Sequence, residues 1–210
     1  YRKLLRAYGP QGWWPLVGFE GTNPTKTGSI RGYHVGDYSF PHDLNERFEI
    51  CIGAILTQHI AWPAVERSLI RLAGAGALSP EGIAGIDGEA LRELIRPSGY
   101  HNQKSRYLKA FADYFLSLEG KVPPRDALLE LLGIGPETAD TILLYAFREP
   151  EFVVDAYTRR IFAHRGILDE QAKYTEVKRL FEESLREAVT DQEDLLVIYQ
   201  EYHALIVEHT

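Results

Sequence analysis

"LLGIGPETAD", residues 131–140, sets two glycines one residue apart in an apolar run and follows them at once with a proline. Proline has a fixed φ and no N–H to leave unpaired, so it suits the first turn of a helix. The stretch therefore reads as the end of one short helix, a hairpin at Leu132-Gly133-Ile134-Gly135, and a second helix opening at Pro136. Glycine at both hairpin positions permits positive φ and removes side chains that would keep another backbone away. The amides of Gly133, Gly135 and the next helix's first residues can then converge on a phosphate, with Ile134 pinning the hairpin to the core. A plain αα-corner with a glycine cap fits the same letters.

Outward from the hairpin the apolar spacing is helical almost everywhere. Leu44, Phe48, Ile52 and Ile55 form one face from Asp43 to about Thr57, and Val65, Leu69 and Leu72 continue it over 64–72. Ser79-Pro80 reads as an N-cap and first helical residue, and Asp87–Ile95 repeats the pattern until Pro97. Tyr107, Leu108, Phe111, Tyr114 and Phe115 make 104–118 amphipathic; further helices are predicted over 125–132, 136–147, 156–165, 174–188 and 192–207. No period-two alternation is long enough for a sheet, so the class is all-α. Residues 18–40, with five glycines and no helical period, are expected to form a long loop with a short hairpin; both a disordered surface loop and a lip over a binding site fit it.

Composition narrows the classes. With 210 residues and 45% hydrophobic content, the chain can bury a sizeable core. It has no uncharged apolar run of roughly 18 residues, and "YRKLLRAYGPQGWW" lacks the apolar centre of a secretion signal. Cys51 alone makes neither an internal disulfide nor a four-cysteine metal site, which points to a reducing, intracellular setting. Methionine is absent even at position 1, as expected of a trimmed or processed product. A net charge of −7 argues against a globally basic nucleic-acid coat. Two local basic patches stand out, Arg96, Lys104, Arg106 and Lys109, and Arg159, Arg160, His164 and Arg165, though each taken singly also fits a solvated helix face.

Asp155 follows Ala139 by sixteen residues, in "FVVDAYTRRIFAHRG". An Asp at a helix N-cap is commonplace by itself. A Gly-apolar-Gly hairpin, then an apolar run, Asp and an Arg-rich helix together resemble the signature of the helix-hairpin-helix DNA glycosylase superfamily, which contains endonuclease III. The resemblance extends to "CIGAILTQHIAW", "IRPSGYHNQKSRYLKAFADYF" and "LLVIYQEYHALIVEHT". It implies two helical lobes with DNA bound in the cleft between them: 43–147 carrying the hairpin, and 1–42 with 148–210 forming the terminal lobe. It also implies that Asp155 is the catalytic carboxylate, that Gln58 fills the gap left by an extruded base, and that Lys104, Gly133, Gly135 and Thr138 contact DNA. The implied partner is double-stranded DNA containing a damaged base, bound by a monomer in the nucleoid-associated cytoplasm, with no membrane.

Two departures from the family's pattern refine this. Bifunctional members carry a lysine nucleophile in the hairpin's second helix, where this chain has Glu137. A carboxylate cannot form a Schiff base, so the enzyme is expected to remove a base without cutting the strand. Many relatives also follow their last helix with four cysteines for an iron–sulfur cluster. None occurs here, so no cofactor is expected unless the chain continues past Thr210. "YGPQGWWPL", with the hairpin helix, resembles the 3-methyladenine DNA glycosylase III branch. Trp13 and Trp14, with Glu137, are candidates for the base pocket, since an indole face attracts a cationic purine by roughly 0.5–2 kcal/mol. Trp14 is favoured for the pocket and Trp62 for packing. Two alternatives stay open: a glycosylase of the same fold for oxidised or mispaired bases, and a non-catalytic DNA-binding module.

Overall fold

The computed structural model describes residues 1–25, 31–169, 171–188 and 192–210. Among them are eleven α-helices: α1 (Arg2–Tyr8), α2 (Leu44–Leu56), α3 (Trp62–Gly74), α4 (Pro80–Gly85), α5 (Gly88–Leu94), α6 (His101–Ser117), α7 (Arg125–Leu129), α8 (Pro136–Thr141), α9 (Ala156–His164), α10 (Tyr174–Ala188) and α11 (Gln192–Glu208). No strand occurs among the described residues, only an isolated antiparallel bridge between Thr22 and Arg31. The chain is all-α.

Helix α2 is the central pillar. Asp43 caps its start by accepting from the amides of Asn45 and Glu46, and every residue from Ile50 to Leu56 is buried, so the helix is apolar on all sides. Phe48 and Ile52 of α2, Leu108 and Phe111 of α6, Ile142, Phe152 and Tyr199 belong to one continuous core. Helices α2–α8 gather on one side of it, while α1 and α9 pack against α11.

Three elements differ from the periodicity. Helix α6 begins at His101, three residues earlier than the apolar stripe, because its first turn is polar. The single helix expected over 136–147 is α8 followed by a π-helical turn, Ile142–Ala146. All five residues of that turn are buried, so tertiary packing holds the wider ring. Helix α1 buries none of its own residues and is held by its ends: Tyr1 packs edge-on to Tyr202 at 5.7 Å and the Tyr8 hydroxyl meets His209 Nδ1 at 2.9 Å.

The 18–40 segment is irregular, as expected. Residues 26–30 lie outside the described residues. The remainder braces the Gly12–Leu16 segment: Leu16 N donates to Gly32 O at 3.0 Å, His34 N to Gly12 O at 3.1 Å, and His34 Nε2 meets Trp14 O at 3.1 Å. No described residue of 18–40 lines the cleft considered next.

Candidate active site

The two hairpin glycines have different reasons to be glycine. Gly133 has φ +81°, and a Cβ there would lie 2.4 Å from the ring of Tyr107. Gly135 is extended, at φ −97°, and a Cβ there would meet nothing within 4 Å. Among the described residues neither amide has a hydrogen-bond partner, and Gly135 caps α8 without a side-chain bond. The hairpin thus presents unpaired N–H groups on an open face, the chemistry a phosphate oxygen accepts.

Beside it opens a cleft of about 720 Å³, walled by Trp13 and Trp14 from the N-terminal segment, Thr57–Trp62 after α2, the hairpin and α8, Asp155–Tyr157 at the start of α9, and His203 of α11. Five distant parts of the chain meet there. Asp155 is the N-cap of α9, with its Oδ1 accepting from Thr158 N at 2.7 Å. It is buried at 7% exposure, and its Oδ2 lies 3.5 Å from His203 Nε2. Burial alone pushes this carboxyl up, but His203, through its hydrogen bond and charge, and the bonds from Thr158 outweigh that and hold it below the ordinary range. Asp155 is therefore a carboxylate at neutral pH.

His203 itself is fixed from behind. The Tyr145 hydroxyl donates to Gln200 O at 2.9 Å, so its 2.8 Å contact with His203 Nδ1 requires the imidazole to donate. The π-helical turn brings Tyr145 to this place. Neither residue was singled out by sequence: a tyrosine and a histidine inside apolar runs read as core, and only the turn and α11 together put them behind Asp155.

Trp13 and Trp14 both line the cleft but differ in depth. Trp14 is only 4% exposed, wedged against Trp62, Tyr145 and Gly53. Trp13 is half-buried and packs edge-on to His203 at 5.7 Å. Trp13 is the more open indole of the two. Trp62, expected only to pack, also lines the cleft.

Three expected DNA contacts have other tasks. The Gln58 Nε2 donates to Gly133 O at 2.9 Å and to Thr138 Oγ1 at 3.0 Å, so this amide ties the post-α2 turn to the hairpin. Thr138 is buried with its hydroxyl accepting that bond. Lys104 is 2% exposed, with Nζ donating to Leu56 O at 2.7 Å, Gln58 O at 2.9 Å and Ser98 O at 2.7 Å. Burial pushes this ammonium down to about 8, while the three carbonyls use all three donors of its charged form. Lys104 ends α2 and cannot also reach a phosphate. Lys109 is similarly turned inward, onto the carbonyls of Ala84 and Ile86.

Glu137, in the first turn of α8, lies in the cleft. The residue is solvent-exposed there. An iron–sulfur cluster has no fitting ligands here: Cys51 is buried inside α2 with its thiol pushed far up by burial, and no group of three His, Cys, Asp or Glu among the described residues could hold a metal.

The sequence profile of the HhH-GPD superfamily of base excision DNA repair proteins matches residues 52–187. A provisionally named DNA repair glycosylase of Methanocaldococcus jannaschii is 37% identical over 220 residues, covering 100% of this chain and 84% of that protein. Endonuclease III of Sulfolobus acidocaldarius is 32% identical over 139 residues, 64% of this chain and 58% of that one. Among solved structures, H. pylori 3-methyladenine DNA glycosylase bound to 1,N6-ethenoadenine is similar at a TM-score of 0.70 and 32% identity, covering 80% of this chain and 85% of that one. An endonuclease III–DNA complex shares the fold at a TM-score of 0.63 and 23% identity, over 76% of this chain and 72% of that one.

Proposed function

The chain belongs to the HhH-GPD superfamily of base excision DNA repair proteins, and from that premise we propose that this DNA glycosylase hydrolyses the N-glycosidic bond of alkylated purines such as 3-methyladenine in duplex DNA, without lyase activity. The observation that carries this reading is the cleft itself: Asp155 and the indoles of Trp13 and Trp14 line it, and no lysine does among the described residues.

The chemistry follows from what those groups can do. The damaged nucleotide leaves the stack at a cost of a few kcal/mol, lowered when its pairing is already weak. Its base enters against Trp13, where an aromatic face favours a cationic purine. The unpaired hairpin amides take a backbone phosphate and keep the strand bent toward the cleft. As the bond to the base lengthens, positive charge grows on the sugar, and Asp155, anionic and fixed by Thr158, faces it. At about 4 Å and an effective dielectric near 20, opposite unit charges attract by about 4 kcal/mol, or about three orders of magnitude in rate. N3-methyladenine is already cationic and needs no proton to depart. With Glu137 where an amine would stand, no Schiff base forms, and the abasic strand stays intact.

The test is chromatography of free bases released from methylated duplex DNA. Wild type should release 3-methyladenine, Asp155→Asn should lose it by about 10³-fold, and no covalent enzyme–DNA adduct should be trapped by borohydride. Full activity of Asp155→Asn would refute the assignment, and a trapped adduct would refute the monofunctional part.

A further inference from the structure

We propose that His203 is a positioning residue for Asp155: its imidazole, protonated on both nitrogens and backed by Tyr145, holds the Oδ2 edge of the carboxylate, so that base release needs the proton on His203 Nε2. This rests on reading the cleft as a glycosylase site. Asp155, His203 and Tyr145 form a row of polar groups that are 7%, 5% and 2% exposed, so protein and not bulk water must supply their partners. Asp155 Oδ1 accepts from Thr158 N at 2.7 Å, and its Oδ2 has His203 Nε2 at 3.5 Å. With both contacts in place the carboxylate has one orientation toward the cleft. With Thr158 alone it can turn about that single bond.

The hydrogen bonds behind His203 fix the state of its ring. Tyr145 has one hydroxyl proton, and Gln200 O, at 2.9 Å, can only accept it. The Tyr145 oxygen then accepts from His203 Nδ1 at 2.8 Å, so Nδ1 carries a proton. A neutral imidazole has one N–H, and such a ring would turn a bare Nε2 lone pair toward the anionic Oδ2, two acceptors 3.5 Å apart. A second proton, on Nε2, converts that repulsion into an imidazolium–carboxylate pair. The separation agrees: 3.5 Å is beyond the roughly 2.7–3.2 Å of an ordinary N–H···O bond and within reach of an ion pair. Burial alone would raise the Asp155 carboxyl, and His203 is the first of the groups that lower it instead, the other half of the same pairing.

The titratable groups that face His203 are Asp155 from α9 and Tyr145 from the π-helical turn, and Glu137 of α8 lies within electrostatic reach across the cleft. Trp13 meets the ring edge-on at 5.7 Å and adds no charge. Helix α1, which also packs on α11, directs Tyr1 to Tyr202 and Tyr8 to His209. Two residues before His203, the Glu201 carboxylate accepts from Gln11 N at 2.8 Å and Gly12 N at 3.3 Å. One helix, α11, therefore seats both the segment bearing Trp13 and the ring behind Asp155. Base wall and carboxylate keep one spacing, and a misplacement of about 1 Å at such a site costs about 10²-fold in rate.

The experiment is single-turnover release of N3-methyladenine by the full chain from methylated duplex DNA across pH, for wild type, His203→Ala, His203→Gln and Tyr145→Phe. It is paired with ¹⁵N NMR of the imidazole nitrogens, the His203 signals being those missing from His203→Gln. Near neutral pH His203 should show two N–H nitrogens, and the wild-type rate should fall on the alkaline side as Nε2 loses its proton. His203→Ala should release the base about 10²-fold more slowly and without that limb. His203→Gln, whose amide N–H needs no ionisation, should recover part of the loss and also lack the limb. Tyr145→Phe should lack it for a different reason: with no hydroxyl oxygen to receive Nδ1–H, a singly protonated ring can carry its proton on Nε2. A merely structural role would leave the shape of the pH profile the same in every variant. A single N–H nitrogen on His203 near neutral pH, an undiminished rate in His203→Ala, or an alkaline limb unchanged in Tyr145→Phe overturns the positioning role. A wild type that releases no methyladenine overturns the glycosylase reading underneath it, while the NMR spectrum still decides the state of the ring.

Discussion

At the scale of single residues, Gly133 and Gly135 look alike in sequence and are separated by geometry. Gly133→Ala must tolerate a positive φ, costing about 1–2 kcal/mol, and also displace the Tyr107 ring. It is expected to lower the urea midpoint and weaken DNA binding together. Gly135→Ala enters open space in an extended conformation that any residue adopts. It should leave the melting temperature within about a degree, since surface changes are usually within ±0.5 kcal/mol, yet weaken binding to an abasic duplex, because its methyl occupies the face offered to a phosphate. A Gly135→Ala protein with undiminished affinity would show that DNA does not use that face. Asp155 illustrates the complementary case. As an N-cap it satisfies a local rule that thousands of structural aspartates satisfy; its second partner, His203, sits 48 residues away on α11 and distinguishes it.

At the scale of elements, the turn between α2 and α3 is the part whose design was least legible. Gln58 and Lys104 have the residue types of DNA contacts, and both are consumed within the protein. Lys104 gathers Leu56 O and Gln58 O from the end of α2 with Ser98 O before α6, and Gln58 then grips the hairpin. One turn is thereby coupled to the other wall of the cleft. Lys104→Met is expected to destabilise the fold by about 1–3 kcal/mol through three unsatisfied carbonyls. It should leave the salt dependence of DNA affinity unchanged. A direct phosphate contact would instead lower the slope of log K against log salt by about 0.9, so a binding titration across salt concentrations decides between the two roles.

At the scale of the whole molecule, Asp140 does what no local pattern announces. It is fully buried and receives Arg125 Nε at 2.6 Å from α7, the Tyr174 hydroxyl at 2.7 Å and Lys178 Nζ at 3.0 Å from α10. Lys178 also pairs with Glu151. The helix bearing Glu137 is thus bolted to the last third of the chain. Asp140→Ala leaves two cations facing each other without their shared partner and is expected to cost about 3–5 kcal/mol in urea unfolding. A smaller loss than about 1 kcal/mol would mean that Glu151 and Glu182 suffice to hold Lys178.

The all-α class, nearly every helix, the hairpin and Asp155 were legible in the sequence because they depend on short-range rules: a 3.6-residue period, a proline after glycine, a capping carboxylate. Glu137 in place of a lysine was equally a matter of one letter. What only the tertiary structure decided was which polar groups remain available. A lysine, a glutamine and a threonine of the right type proved spent on backbone or on one another, while a histidine and a tyrosine hidden in apolar runs proved to stand behind the carboxylate. The physical reason is that availability is a property of partners, and the partners of Lys104, Gln58 and Asp155 lie up to 80 residues away along the chain, where no periodicity reaches.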